Sequence, residues 1–361
     1  MHSLLFVDDE NAILKSLKRL FYDKNLKLFF ADDGYSALEI LKNNKIDMVI
    51  SDMRMPKMNG HKLLHEIQTL YPSTVRFMLS GHTDEKEIYK AVLDGSTKMY
   101  LLKPWEPEKI IDFVMKTFEL LDLLKSKNIY NFLDNLNYLP IQQDVCLELS
   151  QLSDKDENPL RLAEVIEMDF GSYAKVLKFV NSSYFDINVG SLRQAIAYLG
   201  KNVVKSILSN CVSYFSLESN NEKLVQYRLI LDQAKMTNKI IKKIYLKIME
   251  TECPEISISA GMLHDIGMID FRDGDESNCT HEEIGGLVLK WWAIPKPIVD
   301  CALYHHKPTE APDENRELVY IVHLADYYAW QILGSNFGKL EQKAFEVLGT
   351  DQKKFEKSVL D

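Results

Sequence analysis

The chain has 361 residues, of which 46% are hydrophobic and 27% charged, a composition typical of folded globular proteins rather than of disordered ones. Its length exceeds what a single hydrophobic core usually supports, so we expect two domains. The net charge of −10 argues against a dedicated nucleic-acid binder, which would usually present a basic face.

The cysteine pattern and the hydropathy of the chain both point to the cytoplasm. Its five cysteines are scattered and form no C-x-x-C pair, which favours reduced thiols. No apolar run approaches the roughly 18 residues that a membrane-spanning helix needs. The opening MHSLLFVDDE turns acidic too early for a signal peptide. We therefore expect a cytoplasmic protein without a membrane partner.

The first 105 residues alternate short apolar runs with amphipathic segments. The amphipathic segments predict helices near 10–22, 35–43, 60–70 and 84–94. The apolar runs predict strands at Leu4–Val7, Lys27–Ala31, Asp47–Ser51, Val75–Leu79 and Met99–Leu102. Such alternation predicts a doubly wound α/β fold with a five-stranded parallel sheet between helices.

The remainder of the chain shows helical periodicity and no convincing strand, which predicts an all-α second domain. Residues 106–137 read as one long helix or a helix with a break, because apolar side chains recur there at three- and four-residue steps before a polar KSKN stretch. These apolar positions are Ile111, Val114, Phe118 and Leu121. We expect the stripe to pack on the first domain's own sheet, with a homodimer seam as the alternative.

Four of the five predicted strands end in a chemically useful residue. They end at Asp8 and Asp9, at Asp52, at Ser80 and at Lys103. Ligands of a doubly wound sheet bind beyond the carboxyl ends of its strands, so these residues should meet in one crevice. Crowded carboxylates suit Mg²⁺, which together with a lysine and a hydroxyl can neutralise a phosphoryl group during its transfer. A carboxylate can then serve as the nucleophile.

Residues 1 to about 120 resemble the receiver domain of chemotaxis-type two-component response regulators. The matching strings are FVDDE, DMRMPKMNG, MLSGH and YLLKPW. The resemblance implies that Asp52 is the phosphoacceptor and that a sensor histidine kinase or a phosphotransfer protein supplies the phosphoryl group. It also implies that Mg²⁺ is held by Asp8, Asp9, Asp52 and the backbone carbonyl of Arg54, with Asp9 as a direct ligand.

The same resemblance assigns roles around the phosphoryl group. Ser80 would contact it and Lys103 would pair with it. Tyr100 matches an aromatic residue whose side chain swings inward when the hydroxyl moves. A cis peptide bond is implied between Lys103 and Pro104, and proline makes this geometry chemically reasonable.

Histidines are concentrated in the second domain, where five of the nine fall between residues 264 and 323. Imidazole together with carboxylate suits Fe, Mn, Zn or Ni. The candidate ligands of such a transition metal are His264, Asp265, His281, His305, His306 and Asp326. His323 shares one helical face with Asp326. The alternative is a relic of a metal site that hydrogen bonds hold together.

The string VLKFVNSSYFDINVGSLRQAIAYLGKNVV, at residues 176–204, resembles the core of the HDOD family. HDOD domains are relatives of the HD phosphohydrolases and commonly serve as signalling outputs. The NYLP string at 137–140 matches as well, as do the later strings MLHDIG, HEEIGGLVLKWWAIPKPIVDCALYHH and IVHLAD. The resemblance therefore implies a receiver at 1–120, a helical connector at 121–136 and an HDOD output domain at 137–361.

Two departures bear on catalysis by this output domain. HD hydrolases carry an upstream metal-binding histidine, but the string VQYRLILDQAK offers none, and Leu229 or a neighbour takes its place. The pair His305–His306 is not followed by the GYP-containing string of the cyclic-di-GMP phosphodiesterases. These departures favour an output that binds an unknown downstream protein. The alternative is a receiver-regulated, metal-dependent phosphohydrolase that acts on a nucleotide.

Overall fold

A computed structural model describes most of the chain, namely residues 1–81, 85–130, 133, 141–152, 159–182, 188–209, 222–269, 279–335 and 337–360. The chain forms two compact units, one built from Met1–Leu123 and one from Leu124–Asn181 with Asn188–Asp361. Several predictions fall outside the described residues. They concern the helix start at 84, part of the connector at 121–136, the NYLP string at 137–140 and residues 183–187 of the HDOD-like string.

The first unit is built on a five-stranded parallel sheet with the order β2-β1-β3-β4-β5. Its strands are β1 (His2–Val7), β2 (Leu26–Ala31), β3 (Met48–Asp52), β4 (Val75–Ser80) and β5 (Met99–Leu102). This sheet confirms the predicted α/β fold. Val7 of β1 pairs with Ser51 of β3. The residues that follow these two, Asp8 and Asp52, therefore lie at the same carboxyl edge of the sheet.

Four helices connect consecutive strands of the sheet, and side-chain caps fix the start of two of them. The helices are α1 (Asn11–Leu20), α2 (Gly34–Asn43), α3 (Gly60–Leu70) and α4 (Glu85–Leu93). The Asp33 carboxylate accepts the Ser36 N–H at the start of α2, and the Asn59 side chain accepts the Lys62 N–H at the start of α3. Caps of this kind satisfy N–H groups that have no partner within the helix.

Helix α5 (Pro107–Ser126) ends well before residue 137. Asn128 adopts a φ of +55°, and the Ile129 N–H donates to the Leu124 carbonyl at 2.9 Å. A left-handed residue followed by a bond back to the last turn is a common way for a helix to end. Of the two predicted forms, the helix with a break is therefore the correct one, and the break falls in the KSKN stretch.

The apolar stripe of α5 packs on the sheet of its own unit. The buried apolar positions of this helix in the first unit are Ile110, Phe113, Val114, Phe118 and Leu121. The Phe113 ring makes an edge contact with Phe77 of β4, with the ring centroids 4.7 Å apart. Ile111 is only half-buried, and Ile110 takes its place in the core. The predicted packing is thus confirmed, with one position of the stripe corrected.

The second unit consists of helices and short helical turns. Its helices are α6 (Gln143–Gln151), α7 (Pro159–Glu167), α8 (Phe170–Val180), α9 (Leu192–Leu199), α10 (Lys201–Ser209), α11 (Glu222–Lys247), α12 (Glu255–Leu263), α13 (His281–Trp291), α14 (Lys296–Tyr304), α15 (Arg316–Ile332), α16 (Lys343–Val347) and α17 (Gln352–Phe355). The predicted all-α second domain is confirmed. Within the described part of the chain, no helix is long and apolar enough to cross a membrane.

Helix α12 lies in the core of the second unit and leads directly to its polar centre. Its residues are buried from Ser257 to Leu263, and His264 and Asp265 follow as the helix ends. A short turn then brings Gly267 against the start of α13, where an added Cβ would lie 1.9 Å from the His281 carbonyl oxygen. Glycine therefore permits the close approach that sets His264 and Asp265 opposite His281.

Candidate functional sites

Three charged side chains meet at the carboxyl edge of the sheet. Asp8 follows β1, Asp52 ends β3 and Lys103 follows β5, where the sequence predicts them. The Lys103 ammonium lies 2.9 Å from Asp8 Oδ2 and forms an ion pair with Asp52 Oδ1. Both carboxylates are buried, whereas the lysine is partly exposed. The strand ends thus bring two carboxylates into contact with one lysine ammonium.

Backbone groups bind the carboxylate oxygens that Lys103 does not contact. The N–H of the exposed residue Arg54 donates to Asp52 Oδ2 at 2.7 Å, and the Glu10 N–H donates to Asp8 Oδ1 at 2.9 Å. Gly60 lets α3 begin against this strand end, since an added Cβ would lie 2.1 Å from the Asp52 carbonyl oxygen. The orientation of each carboxylate is therefore fixed at both oxygens.

Burial and ion pairing shift the pKa values of the charged groups in this crevice in opposite directions. Burial alone would lower the pKa of Lys103, but hydrogen bonds and charges from Asp52 and Asp8 raise that pKa above its usual value. Burial raises the pKa of Asp52, and the neighbouring ammonium opposes this effect. Because Lys103 holds its proton firmly, it favours the ionised carboxylate of Asp52.

The remaining predicted residues of the crevice lie on the same strands or directly after them. Ser80 ends β4 and is buried, Tyr100 in β5 is half-buried, and Asp9 is exposed next to Asp8. The Lys103 N–H donates to the Ser80 carbonyl oxygen at 2.8 Å, which joins the ends of β4 and β5. The Lys103–Pro104 peptide bond is cis, as the resemblance implies. One buried hydroxyl and one exposed carboxylate thus accompany the three charged groups.

The second unit gathers imidazole and carboxylate groups from four helices and the turns that follow them. The structure brings together all six predicted residues, His264, Asp265, His281, His305, His306 and Asp326. Their ligand atoms form two groups, in each of which all atoms lie within 4.8 Å of one another. One group is Asp265, His281, His305 and His306, and the other is His264, His305 and Asp326.

Asp265 lies at the centre of the first group. Its Oδ1 is 3.2 Å from His305 Nε2 and 3.4 Å from His281 Nε2. Neither approach has hydrogen-bond geometry, and both Asp265 oxygens are buried without a hydrogen-bond partner. The same holds for Nε2 of His281, His305 and His306. Five polar atoms in this group are therefore buried and unsatisfied.

Gln233 of α11 occupies the second group. Its amide NH₂ donates to Asp326 Oδ1 at 2.6 Å and to Thr237 Oγ1 at 3.1 Å. His264 Nε2 lies 3.3 Å from the same Asp326 oxygen and 3.4 Å from the Gln233 nitrogen, while His264 Nδ1 donates to the Gly261 carbonyl at 3.0 Å. Hydrogen bonds within the protein thus occupy this half of the cluster.

The residue that faces the cluster from α11 is Gln233, so that of the predicted Leu229 or a neighbour it is not Leu229 but a residue four positions later in the same string. Leu229 is 45% exposed, whereas Gln233, one helical turn later, is fully buried. Tyr227, Ile230 and Ala234 are buried as well and mark the inward face of this helix. The helical phase of these apolar residues is the signal that could have placed Gln233 on the inward face.

His323 is buried near the cluster without belonging to it. Its Nδ1–H donates to the His305 carbonyl oxygen at 2.6 Å, and its Nε2 accepts the Glu341 N–H at 2.9 Å. Burial lowers the pKa of His323, in agreement with a neutral ring whose two nitrogens are both used. His323 therefore positions the backbone at His305.

Burial and neighbouring charges set opposite protonation states within the cluster. Burial alone would lower the pKa of His264, but the carboxylates of Asp265 and Asp326 raise it to about 9. Burial and the neighbouring His305 lower the pKa of His306 to about 4. Burial would raise the pKa of Asp265, but His264 and the other imidazoles hold it well below its usual value. An ionised Asp265 thus lies between a protonated and a neutral histidine.

Curated relatives of this chain include a bacterial transcriptional regulatory protein and a plant response regulator. The hydrogenase transcriptional regulatory protein HoxA of Cupriavidus necator is 31% identical over 117 residues, which are 32% of this chain and 24% of that protein. The two-component response regulator ARR12 of Arabidopsis thaliana is 39% identical over 109 residues, 30% of this chain and 18% of that protein. The chain thus spans about a quarter or less of these relatives.

Solved structures similar to this chain are short. A protein from Neptuniibacter caesariensis is 38% identical, with a TM-score of 0.34, and the match covers 36% of this chain and 94% of that one. The signal receiver domain of an HD domain-containing protein from Pseudomonas fluorescens is 36% identical, with a TM-score of 0.33. That match covers 34% of this chain and 97% of the other.

Family models cover both units of the chain. Residues 4–115 match the response regulator receiver domain. Residues 139–274 match the HDOD domain, and residues 233–331 match the HD domain, so that the HD match begins at Gln233. The chain therefore contains a response regulator receiver domain, followed by a region that matches the HDOD and HD domains.

Proposed function

We propose that Asp52 accepts a phosphoryl group in the presence of Mg²⁺ and that its phosphorylation state controls partner binding by the HDOD domain. The observation that carries the proposal is the Lys103 ammonium, which contacts both Asp8 and Asp52 at the carboxyl edge of the sheet. Receiver domains take phosphoryl groups from histidine kinases or phosphotransfer proteins, and we propose the same donors for this chain.

The proposed transfer forms one bond and breaks one bond. An Asp52 carboxylate oxygen attacks the phosphorus of a phosphohistidine, a P–O bond forms, and the P–N bond breaks as the imidazole leaves. Lys103 and the Ser80 hydroxyl lie at neighbouring strand ends, where they can contact the phosphoryl oxygens. The protein thus contributes a nucleophile together with groups that neutralise and orient the transferred charge.

The acidic residues of the crevice fit a divalent cation. Mg²⁺ would be held by Asp8, Asp9, Asp52 and the backbone carbonyl of Arg54, and when bound it would offset the charge of the phosphoryl oxygens. Buried Asp8 and exposed Asp9 suit this arrangement, because one is fixed within the sheet while the other remains open to solvent.

Acetyl phosphate with Mg²⁺ tests the phosphoacceptor. We expect one added phosphoryl group in the intact-mass spectrum of the wild type and none in Asp52→Asn. Asp112→Asn, a matched change in an exposed ion pair of α5, should be labelled like the wild type. Undiminished labelling of Asp52→Asn would reject the assignment.

We propose that the output of the HDOD domain is partner binding, because the α11 residue that contacts the cluster is Gln233 and not the upstream histidine that the likeness to HD hydrolases implies. The proposed switch begins when Ser80 moves toward the phosphoryl group and Tyr100 rotates inward. Binding of beryllofluoride, a phosphoryl mimic, should therefore change hydrogen exchange along α4, β5 and α5 and on at least one surface of the HDOD domain. A response confined to the crevice around Asp52 would contradict this control.

The second candidate function is a receiver-regulated, metal-dependent phosphohydrolase that acts on a nucleotide. The unsatisfied atoms of Asp265, His281, His305 and His306 favour it, since carboxylate and imidazole together suit Fe, Mn, Zn or Ni. Purified protein reconstituted with Mn²⁺ should hydrolyse nucleotides if this candidate is correct. Absence of turnover in protein that retains the metal would favour the binding role.

A further inference from the structure

The first half of the helical cluster places acceptor atoms against one another. The His305 Nδ1–H donates to the carbonyl oxygens of Cys301 and Ala302, at 3.0 and 3.1 Å. In the neutral ring this leaves a lone pair on Nε2, and the Nε2 atom lies 3.2 Å from Oδ1 of the Asp265 carboxylate. Two acceptors at this distance repel each other unless a cation lies between them.

The neighbouring imidazoles contribute further nitrogen atoms that a cation could bind. Nε2 of His281 and Nε2 of His306 are buried without partners and belong to one group with Asp265 and His305, whose ligand atoms all lie within 4.8 Å of one another. The Phe337 ring covers the two outer imidazoles, with centroids 5.8 Å from His281 and 5.5 Å from His306. An apolar cover of this kind limits access of water to the four atoms.

In the second half of the cluster, a donor rather than an acceptor faces the Asp326 carboxylate. If the Gln233 amide were turned over, its oxygen would lie 2.6 Å from an oxygen of the Asp326 carboxylate, so the amide must present its NH₂ there. The Thr237 hydroxyl accepts the other N–H at 3.1 Å. Gln233 therefore directs a hydrogen, and no lone pair, at the Asp326 carboxylate, and its nitrogen lies 3.4 Å from His264 Nε2.

We propose that the helical unit binds a single transition-metal ion through Asp265, His281, His305 and His306, and that Gln233 closes the adjoining position at His264 and Asp326 to a second ion. The assignment rests on the transition-metal binding proposed above and specifies its ligands and stoichiometry. Three imidazoles and one carboxylate suit borderline ions such as Zn²⁺ and Co²⁺ rather than Mg²⁺.

Titration of the full-length protein with Co²⁺ tests the ligand set, with equilibrium dialysis for stoichiometry and visible absorption for coordination. The wild type should bind about one equivalent tightly, and His281→Gln and His306→Gln should each weaken that affinity by at least about tenfold. Asp326→Asn, a near-isosteric change in the closed half, should retain the ion and its spectrum. Thermal unfolding of each variant excludes loss of fold as the cause.

Gln233→His tests the closure directly, because it offers a nitrogen lone pair where the wild type offers hydrogens. We expect its stoichiometry to rise from about one to about two equivalents of Co²⁺. Loss of the ion in Asp326→Asn together with its retention in His281→Gln would overturn the ligand assignment while leaving metal binding intact. No Co²⁺ bound by the wild type or by Gln233→His would overturn both this inference and the proposed metal binding.

Discussion

The receiver crevice and the helical cluster balance buried carboxylates in different ways. In the receiver, Asp8 and Asp52 share one lysine, which can only donate hydrogen bonds and keeps its charge at physiological pH. In the helical unit, Asp265 and Asp326 lie against imidazoles, which donate, accept or bind metal according to their protonation. The charge that balances the carboxylates is therefore constant in the receiver, whereas in the helical cluster it depends on whether the imidazoles bind protons or metal.

The same difference appears in the hydrogen bonding of individual oxygens. Asp8 and Asp52 each have one oxygen on Lys103 and the other on a backbone N–H. Both oxygens of Asp265 lack a partner, and a buried unsatisfied group costs about 1–3 kcal/mol. The receiver site is thus internally satisfied in the free protein, whereas the helical site carries a cost that a cation would remove.

The largest expected effects come from two glycines that bring backbone segments together, one in each unit. Gly60→Ala would place a Cβ 2.1 Å from the Asp52 carbonyl oxygen, and Gly267→Ala would place one 1.9 Å from the His281 carbonyl oxygen. Backbone cannot move aside as a side chain can, so we expect a loss of about 4 kcal/mol or more in each variant. Urea unfolding combined with hydrogen exchange should show loss of protection in the unit that carries the substitution.

Gly334→Ala is the matched control for these variants. Its φ is +80°, and among the described residues no atom lies within 4 Å of an added Cβ, so only backbone strain of about 1 kcal/mol is expected. Equal destabilisation by Gly334→Ala and Gly267→Ala would contradict the close approach between α13 and the turn after α12.

A smaller effect is expected when the receiver loses its cation. Lys103→Gln leaves Asp8 and Asp52 close together without the ammonium, and we expect a loss of about 2 kcal/mol in the free energy of unfolding. Mg²⁺ should stabilise this variant more than the wild type, because the bound ion would replace the missing charge. Thermal unfolding with and without Mg²⁺ measures the difference.

Asp52→Asn is the control for the lysine variant, since it removes one of the two acids and should not destabilise the receiver. An equal Mg²⁺ effect on Lys103→Gln and the wild type would argue against a Mg²⁺ site at these carboxylates. The receiver crevice would then lack the response to a cation that is proposed for it.

The smallest expected effect concerns a partly exposed ion pair between Lys127 and Glu283, at the start of α13. Lys127 Nζ lies 2.9 Å from Glu283 Oε1, and this hydrogen bond lowers the pKa of Glu283 below its usual value of 4.5. A lowered carboxyl pKa contributes stability above pH 4.5 that is lost as the pH falls through the folded-state pKa. Because both side chains are partly exposed to solvent, the contribution should stay below about 1 kcal/mol.

Glu283 also caps α13, because its carboxylate accepts the Thr280 N–H. A double-mutant cycle of Lys127→Met and Glu283→Gln, followed by urea unfolding at pH 7 and pH 3, isolates the ion pair from this cap. The coupling energy should be measurable at the higher pH and vanish at the lower one. A coupling that persists at pH 3 would contradict an ionic origin, and one as large as the Lys103 effect would mean that exposure does not weaken such pairs.

Sequence reasoning predicts the receiver crevice well because strand ends fix where its residues lie. Asp8, Asp52 and Lys103 follow apolar runs whose parallel pairing leaves little freedom of placement. The convergence of the histidines is predictable from their clustering along the chain. The role of Gln233 is not, because glutamine is not a typical metal ligand, although the phase of α11 marks its position as inward. The end of α5 depends on the backbone conformation of Asn128.

The order of the charged receiver residues along the sequence has a consequence for folding during synthesis on the ribosome. Lys103 comes 95 residues after Asp8 and 51 after Asp52, on the far side of the edge strand β5. A chain emerging from the ribosome therefore exposes both acids well before their counter-charge exists. Contacts so distant in sequence form late. Docking of β5 is thus the step at which the nascent receiver brings Lys103 to the carboxylates of Asp8 and Asp52.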